Sequence, residues 1–195
     1  MKGYFRKIPF SSSSPRLTSP AALRALGHPT RLRLLGVLRT EGDATATECA
    51  AAVGESPSSC SYHLRTLGRH GFVEEVATSD GRERRWTARV ESIDFDAGAH
   101  ADDEFQAASA LARAALLELS DEAIQDYLRH EHQFAPAWRE AATFMQTTIV
   151  ASPAELEELA EEMHALLEPF LARMHGIRPR GSRLVDVSVR AVPRK

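Results

Sequence analysis

Ser56-Pro57-Ser58-Ser59-Cys60-Ser61-Tyr62-His63-Leu64-Arg65-Thr66-Leu67-Gly68-Arg69-His70-Gly71 is the stretch on which the fold turns. A serine followed by proline is a helix start: the hydroxyl caps, and the missing proline N–H costs nothing in the first turn. The spacing predicts a helix from Pro57 to about His70, with Gly71 just beyond it. Cys60, Leu64 and Leu67 recur at i, i+4 and i+7, so they form one buried stripe. Ser58, Ser59, Ser61, Tyr62, Arg65 and Arg69 are left on the outer face. Short hydroxyls near a helix start, one phenol and two guanidinium groups suit an anionic, hydrogen-bonding partner. Hydroxyls bind bases or phosphates with little preference, whereas arginine can grip guanine with two hydrogen bonds.

Upstream of this helix, Ala46 to Val53 is a small-residue helix ended by Gly54, and Gly54-Glu55-Ser56 joins the two. Two helices on so short a turn have the geometry that places the second in a DNA major groove. Earlier still, Pro20 to Leu26 and Arg31 to Arg39 read as helices, the second capped by Thr30 and rich in buried leucine. Downstream, Val73 to Thr78 and Glu83 to Arg89 are short strand-like runs joined by Ser79-Asp80-Gly81-Arg82, and Asp-Gly between such runs signals a hairpin. Arg82, Arg84 and Arg85 sit at or beside its tip. A thin basic hairpin can follow a phosphate strand or enter a minor groove. Four helices and a hairpin in this order make a winged helix-turn-helix over residues 20–91, and double-stranded DNA is the expected partner.

Leu23-Arg24-Ala25-Leu26-Gly27-His28-Pro29-Thr30-Arg31-Leu32 resembles the opening signature of ArsR-like regulators, and residues 56–67 resemble their recognition helix. Gly71-Phe72-Val73 and Gly81-Arg82-Glu83-Arg84 resemble the approach to the wing and its tip. The resemblance spans about residues 20–90. It implies a homodimer on an inverted-repeat operator, often released by a ligand, and residues 100–195 resemble the longer actinobacterial-type members. Metal-sensing members carry a close cysteine pair where this chain has Thr45 and Thr47, which are not thiolate ligands. His130-Glu131-His132 supplies two histidines without a completing shell, so no metal or other cofactor is expected. Cys49 and Cys60 are read as small buried hydrophobes, with a thiol switch as the rival reading. His28 and His63 are read as capping and packing residues.

The flanks fit this organisation. Residues 1–19, with Ser11-Ser12-Ser13-Ser14-Pro15, read as a flexible arm, and residues 91–101 as a linker. Residues 1–95 carry 14 Lys and Arg against 10 Asp and Glu; residues 96–195 carry 10 against 17. A basic half joined to an acidic one suits a nucleic-acid-binding region followed by a partner region. In residues 100–195 the pattern predicts helix–strand–helix–strand. A long helix begins near Asp102, with a fresh cap at Ser120-Asp121-Glu122, and Ala141 to Val150 alternates as a strand. A capped helix follows from Ser152-Pro153-Ala154-Glu155, bent at Pro169, and Val185, Val187, Val189 and Ala191 share one strand face. The expected class is therefore mainly α with a small β component (α+β).

Two readings of the C-terminal half stay open. Its helices bury their stripes against a second copy, or Phe134, Trp138, Phe144, Met145, Met163, Phe170 and Met174 line a pocket for a small apolar effector rather than an ordinary core. No apolar run approaches the ~20 residues of a membrane span, and a cytoplasmic location is expected. No hydrolase elbow, phosphate-cradling glycine loop or paired-carboxylate motif appears, so an enzyme is not expected. Two alternatives remain: a metal- or thiol-responsive sensor, and a protein-interaction module with a disused winged helix.

Overall fold

The computed structural model describes residues 19–77, 83–90, 102–174 and 178–194. Residues 1–18 of the expected arm (1–19), the expected tip of the wing (78–82) and the whole of the expected linker (91–101) lie outside them. The described elements are α1 (Pro20–Leu26), α2 (Pro29–Glu41), β1 (Ala44–Thr45), α3 (Ala46–Val53), α4 (Pro57–Arg69), β2 (Val73–Val76) and β3 (Arg85–Ala88). They continue with α5 (Asp103–His130), a 3-10 turn (Glu131–Gln133), α6 (Pro136–Ala141) and α7 (Pro153–Leu171). The chain divides into two compact units, residues 1–119 and 120–195, with α5 running through the division.

In the first unit, local sequence chemistry sets the helix boundaries. Ser56 accepts from the Ser59 N–H and starts α4, as its sequence predicts. Gly54 ends α3 at φ 71°, a left-handed conformation that glycine adopts more readily than residues with a side chain. Thr45 and Glu48 form a reciprocal capping box on α3. The cap of α2 differs from expectation. His28, not Thr30, caps the helix by accepting the Thr30 N–H at Nδ1, and Thr30 is buried inside the first turn. Pro29 can occupy that first turn because its absent N–H is not needed there, which moves the cap one residue before it.

The core is continuous from α1 to α5. Leu23, Leu26, Leu34, Leu35, Cys49, Cys60, Leu64, Leu67 and Phe72 are fully buried, and Ala108, Ala112 and Ala115 of α5 join them. The first half of α5 therefore belongs to the same core as the helix-turn-helix. Gly27 makes this approach tight: a Cβ there would stand 2.6 Å from Leu111 Cγ. The wing root is equally close to α4, since a Cβ on Gly68 would stand 3.1 Å from the Trp86 ring. The sheet is three-stranded and antiparallel in the order β1-β3-β2, with Glu75 opposite Trp86 and Ala44 opposite Trp86 on the other side. β1 is too short for a period-2 pattern to reveal it in sequence.

The second unit keeps the expected helices and loses the expected strands. α5 passes through Ser120 without a break, and the Ser152–Glu155 capping box starts α7. Residues 141–150 and 185–191 carry no strand, and their side chains are exposed. Alternation supplies a strand with a face but not with a partner, and neither stretch finds a ladder among the described residues. The last stretch is instead pinned to α5 by side chains: Ser188 to Ser120 at 2.7 Å and Arg190 to Asp121 at 3.4 Å.

Leu64 is the inner anchor of α4 and is completely buried. Leu64→Ala should lower the unfolding free energy by about 2–5 kcal/mol, read as a fall in thermal midpoint. An unchanged midpoint would mean that α4 does not pack as described.

Candidate nucleic-acid interface

The outer face of α4 follows from what its inner face hides. With Cys60, His63, Leu64 and Leu67 buried, Ser58, Tyr62, Arg65 and Arg69 are exposed, while Ser59 and Ser61 are half-buried. Tyr62 is 60% exposed, a large aromatic ring held toward solvent. The Ser58 hydroxyl lies 3.1 Å from that of the capping Ser56. Arg69 reaches the Thr66 hydroxyl at 3.4 Å, and Arg65 has no ion-pair partner among the described residues. The six side chains predicted for this face thus come together on one exposed helix, the two half-buried serines at its margin.

The wing is organised differently from its sequence reading. Arg82 lies outside the described residues. Arg84 is exposed but paired with Glu75 at 3.1 Å. Arg85 is turned inward: it donates to the Asp43 carbonyl at 2.6 Å and meets Glu48 at 3.3 Å, tying β3 to the start of α3. Arg89 pairs with Glu74 at 3.4 Å. A groove between α4 and the wing is lined by Arg65, Arg69, Glu74, Glu75, Trp86 and Arg89. Glu48, Glu74, Glu75 and Arg89 were not singled out from sequence, although hairpin register alone sets acidic residues of β2 against basic residues on and beside β3.

Behind the outer face lies a polar junction of α1, α2 and α4. The His28 and His63 rings are 4.5 Å apart, and Tyr62 meets His63 edge-on at 5.3 Å. Burial, then neighbouring Arg31, holds His28 below its usual pKa; burial, then His28 and Arg31, does the same for His63. Glu55, which accepts from the Thr30 hydroxyl at 3.3 Å, opposes these shifts in both histidines. The His63 Nδ1 and Arg31 Nε atoms are buried without a hydrogen-bond partner among the described residues.

The two thiols are fully buried, and burial pushes Cys49 up to about 11 and raises Cys60 as well. Such thiols carry almost no thiolate at neutral pH and are poor nucleophiles. Among the described residues, no group of three or more His, Cys, Asp or Glu side chains is placed to hold a metal ion.

In the second unit, none of the seven side chains proposed for an effector pocket is buried. Phe134, Trp138, Met163 and Met174 are half-buried, and Phe144, Met145 and Phe170 are exposed. Tyr127 gathers Phe134 and Phe144 at ring distances of 5.5 and 6.1 Å, and Arg183 stacks over Phe134.

The histidine junction has a pH signature. Both folded-state pKa values lie below the ordinary 6.5, so the unfolded chain binds more protons in the interval between. Stability contributed by the neutral rings is therefore complete above about pH 7 and declines as pH falls through 6.5 toward the lowered values. The thermal midpoint should fall on acidification in that window, and less steeply in His63→Gln. Equal slopes for the two proteins would contradict the buried neutral histidine.

Residues 26–76 match the helix-turn-helix domain family, about a quarter of the chain. None of the curated proteins matches. Among solved structures, similarity extends to the homodimeric winged helix-turn-helix DNA-binding domain of Mb0332 from Mycobacterium bovis, a possible ArsR-family transcriptional regulator. It is 20% identical, with 59% of this chain and 84% of that one covered and a TM-score of 0.33. A double-mutant ZitR from Lactococcus lactis, in its apo form, is 15% identical over 74% of this chain and 83% of that one, with a TM-score of 0.31. Those likenesses are distant, and the assignment rests on the domain match together with the observed helix order and three-stranded wing. The N-terminal part of the chain carries a helix-turn-helix domain, with a small three-stranded antiparallel sheet beside it.

Proposed function

We propose that the protein is a sequence-specific DNA-binding transcription regulator that places α4 in the major groove. The observation that carries this reading is the exposed face of α4. Ser58, Tyr62, Arg65 and Arg69 stand opposite a fully buried apolar stripe, on the second helix of a helix-turn-helix. Polar residues are ordinary on a solvent-facing helix side, but a 60% exposed tyrosine beside two arginines also suits base edges and phosphates. In this reading Ser58, Ser61 and Tyr62 lie near bases, Ser59 lines the margin, and Arg65 and Arg69 reach guanine or phosphate. Arg84 faces the DNA backbone at the wing, with Arg82 read from sequence as its companion, while Arg85 braces the wing from within.

The regulator acts as a homodimer on an inverted repeat, with half-sites about 34 Å apart. Supporting this, α5 carries Leu111, Leu117, Ile124 and Leu128 as exposed large apolar side chains, which a second copy would cover. The C-terminal region then serves dimerisation, and a small apolar effector bound near its aromatic cluster would release the operator. No described helix is long and apolar enough to cross a membrane.

The experiment is binding of the full chain to duplex DNA from the region upstream of its own gene, against a scrambled duplex, over a salt series. Tight binding to the native duplex, weakening steeply with salt, is expected. Arg65→Ala should cost about 1–3 kcal/mol on that duplex and relax discrimination, whereas Arg84→Ala should weaken the native duplex and lower its salt slope by about one. Wild-type affinity in both variants would place the DNA face elsewhere.

A further inference from the structure

The arginines around the groove fall into two classes. On α4, neither Arg65 nor Arg69 meets a carboxylate among the described residues, and Arg69 reaches the Thr66 hydroxyl. In the wing, every described arginine meets a carboxylate: Arg84 meets Glu75 at 3.1 Å, Arg85 meets Glu48 at 3.3 Å and Arg89 meets Glu74 at 3.4 Å. The pairs of Arg84 and Arg89 cross the β2–β3 hairpin and follow from its register. Glu75 lies opposite Trp86 and Glu74 opposite Thr87, so Arg84 and Arg89 stand diagonally two residues away on matching faces. Both glutamates line the groove that opens between the wing and the helix.

We propose that Glu74 and Glu75 are specificity-determining residues, which hold Arg89 and Arg84 in intramolecular ion pairs and so withhold two cations from the phosphates of non-cognate duplexes. The proposal rests on the DNA-binding reading above. Affinity for any duplex grows with the number of phosphates that arginine and lysine neutralise, because each releases condensed counterions. That contribution carries no sequence information. Base contacts supply the discrimination, and specificity is the ratio of the two affinities. A wing whose cations are already paired adds little to the indiscriminate part, and leaves the decision to the unpaired face of α4.

The pairs are suited to this task because they are weak. Their side chains are roughly half exposed, and exposed ion pairs are easily exchanged for other partners. A duplex that satisfies α4 holds the wing against its backbone long enough for Arg84 to exchange Glu75 for a phosphate. A duplex that does not satisfy α4 must open the pairs with nothing else to offset the loss. Glutamine in place of each glutamate keeps a hydrogen-bond acceptor for the arginine but removes the charge.

The test uses the full chain, a random-sequence duplex and the upstream duplex, each over a salt series. Glu74→Gln/Glu75→Gln should bind the random duplex severalfold more tightly, with about tenfold per freed arginine as the ceiling near 0.1 M salt, and a salt slope steeper by about one to two. The upstream duplex should gain less. In an Arg84→Gln/Arg89→Gln background the same glutamate substitutions should bring no gain. Thermal melting of each variant confirms that it is folded. Unchanged affinity of the glutamine variant for the random duplex would overturn the proposal. An equal gain in the arginine-less background would overturn it too, because the carboxylates would then act without the arginines. Wild-type protein without affinity for either duplex would bring down the DNA-binding reading as well, a distinct outcome.

Discussion

Everything in the N-terminal unit depends on where the apolar stripe of α4 is buried. Cys60, Leu64 and Leu67 are withdrawn completely from water into a core shared with α1, α2, α3 and α5. A helix with one stripe fixed this way has no rotational freedom left, because turning it would expose leucine and bury arginine. The outer residues are therefore aimed by the inner ones. Gly68 extends the constraint to the wing: its missing side chain lets the Trp86 ring lie against α4, so helix and hairpin form one surface. The groove between them is a consequence of that contact.

Charge is arranged around this frame with different purposes at different places. Under the helix, His28, His63 and Arg31 crowd together with Glu55 as the counter-charge, and the two rings are kept neutral by burial and by the guanidinium. Beside the helix, acidic residues sit among the wing arginines, and Glu48 serves both the cap of α3 and the anchoring of Arg85. On the helix, Arg65 and Arg69 meet no carboxylate among the described residues. A sequence count of basic residues treats all of these alike, whereas the structure separates a bracing arginine from carboxylate-paired ones and from those on α4.

Much of the winged helix was legible in the sequence because its boundaries are set by local chemistry. Ser56-Pro57, Gly54 and the i, i+4, i+7 stripe of α4 each act within one or two turns of chain, and each forms the predicted feature. What was not legible depends on partners far away in the chain. β1 exists only because β3 pairs with it, and Arg85 finds Glu48 across 37 residues. The cap of α2 moved from Thr30 to His28 because Pro29 enters the helix itself. In the C-terminal half, alternation at 141–150 and 185–191 was read as strand although no ladder partner exists among the described residues. Its exposed apolar side chains, Leu166 and Phe170 of α7 among them, have no counterpart in a well-covered core.

The central claim is that the outer face of α4 meets duplex DNA. Backbone amide chemical shifts, followed as a duplex from the upstream region is added to the full chain, test it residue by residue. The account predicts that the largest changes fall at Ser58, Ser61, Tyr62, Arg65 and Arg69, with a second set at the wing around Arg84. Changes confined to residues 120–195, with α4 unmoved, would contradict it.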